Sequence, residues 1–542
     1  AAGLDLEMPG NPLSPPQVVE AVRSGRLAEA DLDRAVARVL QLVERRSRQT
    51  SAGAAGGEAE LEALHRANHD LAREVAAASM VLLENDGVLP LSAERGRRVG
   101  VVGRNAFAPR IQGIGSSQIQ TTRLDVPWRE LEARGTEHGL EVTAWGAEYA
   151  EDGLGADARA ALSSWLADVD QVVVFAGQKA SHDAEAWDRP SMALAPADRE
   201  LMAVARDSGK PFAAVVSAGG AVELRGLGAD AVLFTWLGGQ AFGGAVAEVL
   251  LGVQSPGGRL SETFAPVSDH PSDLNFPAGP RRVIYGERMA VGYRHFQGRP
   301  AREVDYPFGH GLSYTRFEYR DAAAPATLGD GSAGLDVRVD VANVGERRGS
   351  ETVQVYLRPL DYRGGSTLEL VAFAKGEIAP GDVRTFEIPV AGEQLARWSE
   401  IHGRWVIEPG RYELLVGSSA AVIRRVLPLE IETGTVPRRY FSTADVIGDI
   451  VEDPRGLALV DFLLAQIGQE PLSRRPEDDF FAAIFRNMPF KKLAAFSGGN
   501  LSLEALDGLL ELVNSDLEPG QVRSHLEAQR AAAGESPGAA PH

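Results

Sequence analysis

The sequence predicts a multidomain chain: a mostly parallel α/β sheet covered on both faces, then a small all-β sandwich, then a helical tail. Three observations carry this fold class. At 542 residues the chain exceeds what a single hydrophobic core supports, so several domains are expected. From 98 to 264, short valine-rich runs alternate with amphipathic stretches, the rhythm of strands and crossover helices in a sheet buried on both sides. From 319 to 432 the pattern is strand after strand parted by turn residues, over the length of a β-sandwich.

Taken in order, residues 16–48 read as two amphipathic helices, "PQVVEAVRSG" and "EADLDRAVARVLQLVERR", with Gly25 between them. The small, glycine-rich "QTSAGAAGGEAE" reads as a linker. A long helix from about Glu60 leads into "MVLLEN" and the turn "NDGVLPL". The strands that follow are "RVGVVG", "QVVVFAG", "FAAVVSAG" and "AVLFTW", and the helices are "ADARAALSSWLADV", "PADRELMAVARDSG" and "GGAVAEVLLG". Residues 265–318 are rich in proline, glycine and aromatics without periodicity and read as a long ordered connection. The β region comprises "LDVRVDVANVG", "ETVQVYL", "RTFEIPV", "RYELLVG" and "RRVLPLEI". The chain is helical again from 436 to about 515, and 530–542 reads as a disordered end.

Composition narrows the function classes. A formal net charge of −20 argues against nucleic acid as a partner, because phosphate contacts need basic surface. The absence of cysteine removes disulfides, thiolate nucleophiles and Cys-ligated metal sites. No apolar run reaches membrane-spanning length; "LALVDFLLAQI" at 457–467 is short, interrupted by Asp461, and reads as a buried helix. His65 and His69 are four apart on a predicted helix, but no Glu follows His65, so no metal site is expected there. "GIGSS" lacks the Lys-Ser/Thr of a phosphate loop and reads as a tight turn or a sugar-facing loop.

The stretch "HDAEAWDRP", residues 182–190, stands out because it concentrates acids, a histidine and an arginine just after the apolar run "QVVVFAG". In α/β sheets ligands sit beyond the carboxyl ends of the strands, where such a loop lies. Taken alone, the stretch reads as an ordinary charged loop; a carboxyl that handles protons is the sharper alternative.

Several ordered motifs resemble the later part of glycoside hydrolase family 3, a family of retaining exo-acting β-glycosidases. "AGLDLEMPG" (2–10) resembles the segment near the end of that family's catalytic barrel, and "HDLAREVAAASMVLLENDGVLPL" (69–91) its entry into an α/β sandwich domain. "RIQGIGSSQIQ" (110–120) is similar to a Gly–Ser loop there, and "YPFGHGLSYTRFEY" (306–319), after "VGYRHF", is the most specific match. "VANVGERRGSETVQVYL" and "WVIEPGRYELLVGSS" resemble its fibronectin-III-like domain. The resemblance divides the chain into 1–48, the C-terminal remnant of a (β/α) barrel; 49–97, a linker and connecting helix; 98–264, the α/β sandwich; 265–318, a connecting segment; 319–432, the fibronectin-III-like domain; and 433–542, a helical tail with a disordered end. Most of the catalytic barrel is then expected to be missing.

The resemblance also implies a function, that of a β-glucosidase-like hydrolase acting on β-linked glucosides or oligosaccharides without a cofactor. "AEAWDR" aligns with the family's acid/base motif, making Glu185 the general acid/base, with Trp187, Asp188 and Arg189 as substrate-binding or supporting residues. Ala186 stands where the family has Gly, and Glu84 where it has Lys. His310 reads as structural. Cleavage passes through an oxocarbenium-like state in which one carboxylic acid protonates the departing oxygen while a carboxylate roughly 5–5.5 Å away attacks the anomeric carbon. The acid needs a raised pKa, for which Trp187 would supply an apolar wall. The family's nucleophile is an Asp in an S-D-W motif, which this sequence does not contain, and Asp5 matches a different segment. The chain alone is therefore expected to be catalytically incomplete, its barrel lying upstream or on another chain; a non-catalytic carbohydrate-binding or accessory module is the rival reading. Glucosides are favoured over β-xylosides by "GLDLEMPG". No membrane partner is expected, a homo-oligomer is compatible with the sequence, and of the cytoplasmic and secreted compartments the cytoplasmic one is favoured.

Overall fold

The computed structural model describes residues 3–53, 57–116, 118–146, 149–185, 187, 189–270, 281–282, 284–297, 304–361, 368–399, 402–466, 468–476, 479–497 and 501–532. The chain forms two compact units. One comprises the residues up to Thr327 with Leu335–Val390 and Gly410–Glu430; the other comprises Leu328–Gly334, Ala391–Pro409 and the chain from Ile431 onward.

The first unit begins with three helices, α1 (Ser14–Arg23), α2 (Glu29–Gly53) and α3 (Glu58–Ser79). Gly25, at φ +73°, takes the left-handed conformation that a turn between α1 and α2 requires. Helix α2 runs past the boundary expected at 48, because residues 49–52 contain neither proline nor glycine to stop it. On α2, Val36, Leu40 and Val43 recur at helical spacing yet are exposed, and Leu61, Leu64, Leu71 and Val75 do the same on α3.

A six-stranded sheet follows, made of β1 (Val81–Asn85), β2 (Arg98–Val102), β3 (Glu141–Ala144), β4 (Gln171–Gly177), β5 (Phe212–Ser217) and β6 (Ala231–Phe234), in the order β1-β6-β5-β4-β2-β3. All neighbours are parallel except β1, which pairs antiparallel with β6. The strand β1 was not evident from sequence, where "MVLLEN" followed a helix without a turn signal. The four remaining helices of the α/β region are α4 (Pro127–Gly135), α5 (Ala156–Leu166), α6 (Pro196–Asp207) and α7 (Phe242–Leu250).

The unbroken apolar run of β4 is explained by cover on both faces, every residue of the strand being buried. Val172, Val174 and Ala176 pack with Leu162 and Leu166 of α5 and Leu201 of α6. Val173 and Phe175 point the other way, into a core with Phe242 and Val246 of α7 and Leu131 of α4. Gly103, just after β2, sits at φ +106°, and a Cβ there would lie 1.9 Å from the Phe175 carbonyl oxygen, so only glycine lets the chain leave β2 against β4.

In this strand order the connections from β2 and β4 diverge to opposite sides. The crevice between the carboxyl ends of these adjacent strands is the topological switch point, where α/β sheets place their ligands. The sheet therefore aims two loops at one place, residues 103–126 after β2 and 178–195 after β4.

The rest of this unit is β-sandwich. One sheet holds Val383–Val390, Leu335–Asn343 and Phe317–Ala323 in that order, antiparallel; the other includes Glu369–Ile378, Gly349–Pro359, Gly410–Gly417 and, as far as Glu430, the strand that begins at Ile423. The strand Glu369–Ile378 was missed in the sequence, where the run "ELVAFAKGEI" is broken by a lysine and a glycine. Residues 306–312 tie to β1: the Tyr306 hydroxyl donates to the Glu84 carboxylate, His310 Nε2 lies 2.9 Å from the Leu83 carbonyl and Leu312 N–H donates to the Leu82 carbonyl. Burial holds the His310 imidazole below its ordinary pKa, consistent with a neutral, structural ring.

The second unit contains a hairpin, Arg397–Ser399 with Arg404–Val406, and a cluster of helices with its own core. Residues 457–466 of the apolar run fall in the helix Pro454–Gln466, whose Leu459, Val460, Leu463 and Leu464 are buried, and Ile467 lies outside the described residues. No helix among the described residues is long and apolar enough to cross a membrane.

Candidate active site

The two loops at the switch point meet at Glu185. Residues Ile114 and Ala184 form a parallel bridge, and the Glu185 N–H donates to the Ile114 carbonyl at 2.9 Å. The loop after β2 then turns back over the side chain, and the Ser116 N–H donates to Glu185 Oε2 at 2.7 Å. Gly115 makes this possible: at φ +112°, with a hypothetical Cβ only 2.6 Å from the Glu185 Cβ, any larger residue would push the carboxylate away. The Gln112 amide closes the same loop, accepting from the Ile119 N–H and donating to the Ile119 carbonyl, each at 3.0 Å.

The loop carrying Glu185 is held along its length. Arg110 Nη1 donates to the carbonyls of Gln178 and Lys179 at 3.2 Å each. Lys179 pairs with Asp152. Arg189 reaches back to the His182 carbonyl at 3.2 Å and across to the Ala221 carbonyl at 3.0 Å, so it binds its own loop to the one following β5. The Ala221 N–H is in turn accepted by Glu262 Oε1 at 2.7 Å. Apart from the Lys179–Asp152 pair, each contact spends a charged side chain on backbone groups of a loop, which fixes its course without a regular element.

Of the residues expected at the site, Glu185 and Arg189 lie on this one loop, Glu185 bonded to the loop after β2 and Arg189 to the one after β5. Trp187 lies on the same loop but is 74% exposed, and Asp188 lies outside the described residues. The expectation of a raised Glu185 pKa, with Trp187 as its apolar wall, is corrected. The Ser116 hydroxyl, and after it the Ser116 N–H, hold the carboxyl below the usual carboxylate range, because hydrogen bonds to the charged form favour it and the group is exposed.

Sequence reasoning missed Ser116, Gly115, Gln112 and Arg110 as parts of the site. The only available signal was the Gly–Ser pattern of "GIGSS", since about seventy residues separate this loop from Glu185. The paired histidines divide as their surroundings dictate. His65 is exposed, while His69 is buried, with Nε2 2.9 Å from Asp125 Oδ2 and Nδ1 3.1 Å from Gln240 Nε2. Among the described residues no cluster of His, Asp and Glu has the arrangement of a metal site. Asp5 is bonded by Arg38 Nε at 2.7 Å, which holds its carboxyl low.

Comparison with known proteins places these features in context. The glycosyl hydrolase family 3 C-terminal domain matches residues 80–314, and a fibronectin type III-like domain matches 351–420. The thermostable beta-glucosidase B of Acetivibrio thermocellus is 33% identical over 522 residues, covering 95% of this chain and 68% of the relative. The exo-alpha-(1->6)-L-arabinopyranosidase of Bifidobacterium breve is 30% identical and covers 92% of this chain and 65% of the relative. Among solved structures, the GH3 beta-glucosidase of Bifidobacterium adolescentis superposes with a TM-score of 0.74 at 30% identity, over 84% of this chain and 65% of that one. The chain spans about two thirds of the length of these relatives.

Proposed function

The chain belongs to glycosyl hydrolase family 3, and from that premise we propose that it supplies the general acid/base of a retaining, exo-acting β-glucosidase-like hydrolase, with Glu185 as the proton donor. The observation that carries this reading is the convergence of the two switch-point loops on Glu185, whose exposed carboxylate accepts from the Ser116 N–H while its own N–H donates to the Ile114 carbonyl. A side chain that must hand a proton to a departing glycosidic oxygen has to be fixed in place yet reachable, and Glu185 is both.

The nucleophilic carboxylate belongs, in this reading, to a barrel supplied by the third of the relatives' length that the chain does not match. The uncovered apolar stripes of α2 and α3 support such a neighbour, since exposed residues at helical spacing are what a packing face leaves when its partner is absent. In the first step Glu185, protonated, gives its proton to the leaving oxygen as the nucleophile bonds to the anomeric carbon. In the second, Glu185 as carboxylate takes a proton from the water that releases the sugar. Ser116 favours the carboxylate needed for the second step. Desolvation under a bound sugar and the charge of the nucleophile would push the pKa back up for the first. In this reading Trp187, exposed two residues beyond Glu185, stacks on a sugar ring, and Arg189 holds the loop.

The substrate class proposed is a β-glucoside or β-linked oligosaccharide, with β-xylosides as the alternative. The test is the stereochemistry of hydrolysis of an aryl β-glucoside by the protein that includes the nucleophile-bearing part, followed by NMR of the first-formed sugar. Retention of the β-anomer is expected; inversion, or no hydrolysis of any aryl β-glycoside, would overturn the proposal. A second reading, an accessory module, is favoured by the lack of an S-D-W motif in these 542 residues. It shares with the first the prediction that the chain by itself does not turn over an aryl β-glucoside.

A further inference from the structure

The loop that carries Glu185 leaves the sheet at Gly177, the last residue of β4, and returns to it at α6. Both backbone groups of Gly177 are taken by the start of that helix. Its carbonyl accepts from the Ala195 N–H at 2.9 Å, and its N–H donates to Asp198 Oδ2 at 2.9 Å. An acid in the first turn of a helix ordinarily faces water and the helix's own free N–H groups. Asp198 instead turns inward, is 7% exposed, and spends its carboxylate on the end of a neighbouring strand. The helix does not need this bond, since Pro196 in its first turn already removes one of the N–H groups that a cap would serve.

Burying a carboxylate at this point is expensive. Desolvation raises its pKa to about 7, against the lowering effects of the Gly177 N–H and of Arg104. The nearby charges offer only partial compensation. Arg104, beyond β2, is engaged by Glu151, whose own charge acts on Asp198 in the unfavourable direction, and the partly buried Tyr149 is close enough for the Asp198 charge to act on its hydroxyl. A costly group, satisfied at the root of the loop that holds the candidate proton donor, is better explained by that loop than by the helix.

We propose that Asp198 is a positioning residue for the acid/base loop: it locks the root of residues 178–194 by holding the Gly177 N–H while Ala195 holds the Gly177 carbonyl, and so fixes where Glu185 stands. This rests on Glu185 being the acid/base. Asp198 touches no substrate; it acts through the backbone.

Amide hydrogen exchange of the 542-residue chain tests it without catalysis. In Asp198→Ala, exchange across residues 178–187 should quicken about 10-fold, with peptides from β2 and β5 unchanged, because only the local opening is released. Asp198→Asn, which keeps an oxygen acceptor for the Gly177 N–H, should stay within about 2-fold of the parent. In the protein that includes the nucleophile, Asp198→Ala should lower kcat about 10-fold on substrates with poor leaving groups at unchanged KM, and Asp198→Asn should restore it. Loop exchange at the parent rate in Asp198→Ala, or quickened exchange over the whole sheet in both variants, would overturn the proposal. If Glu185→Ala keeps full activity while the exchange results hold, the acid/base reading falls and the locking of the loop stands.

Discussion

At the scale of single residues, the site is built by what Gly115 lacks and what Ser116 offers. Without a Cβ at 115 the loop passes close over Glu185, and the next N–H and hydroxyl meet the carboxylate. Gly115→Ala is therefore expected to displace Glu185, both by the clash and by strain at φ +112°, and to lower kcat/KM of the barrel-containing enzyme about 100-fold with little change in overall stability. Steady-state kinetics with a thermal melt on the same sample would check this. The sequence singles out Glu185 as a candidate through its resemblance to a family motif. Its cap was not legible there, because a hydrogen bond between positions 116 and 185 leaves no periodic trace, and the carboxyl sits low where an apolar wall was expected.

At the scale of elements, the α/β rhythm was legible because β2, β4, β5 and β6 are short apolar runs with nearly every residue buried, whereas β3, with one buried residue, left no such trace. Strand β1 and the strand Glu369–Ile378 escaped because their patterns are interrupted or follow a helix without a break. The His65–His69 spacing illustrates the limit of a one-dimensional pattern, since only the packing of α3 against the loop before α4 shows that His69 faces Asp125. Asp125 is also bonded by Arg123 Nε at 3.0 Å, so it satisfies two partners in a buried place. Asp125→Ala should cost about 3 kcal/mol by stranding His69. Urea unfolding should show the lowered midpoint, and an unchanged midpoint would mean that the network is not structural.

At the scale of the whole molecule, the buried Asp198 makes stability depend on pH. Its folded pKa of about 7 lies above the ordinary 3.8, so folding favours the protonated form. That contribution is fully present below about pH 4 and is lost as pH rises through 7. Asp198→Asn, which carries no charge to bury, should therefore gain stability over the parent at pH 8, by up to about 4 kcal/mol, and by less than half as much at pH 5. Denaturant midpoints of both proteins at the two pH values would show it. The organisation into an α/β unit with a sandwich and a helical region was legible from rhythm alone. The switch-point geometry that gives Glu185 its setting was not, since strand order is a property of pairing and not of any one segment.

The central claim is that Glu185 delivers the proton to the leaving group. Its most direct measurement compares Glu185→Ala with the parent, in the protein that includes the nucleophile-bearing part, on two aryl β-glucosides with good and poor leaving groups. In Glu185→Ala, kcat/KM is expected to fall at least about 100-fold on the poor leaving group and far less on the good one, with azide partly restoring turnover of the good one through a glycosyl azide product. Equal losses on both substrates, or no loss on either, would contradict the claim.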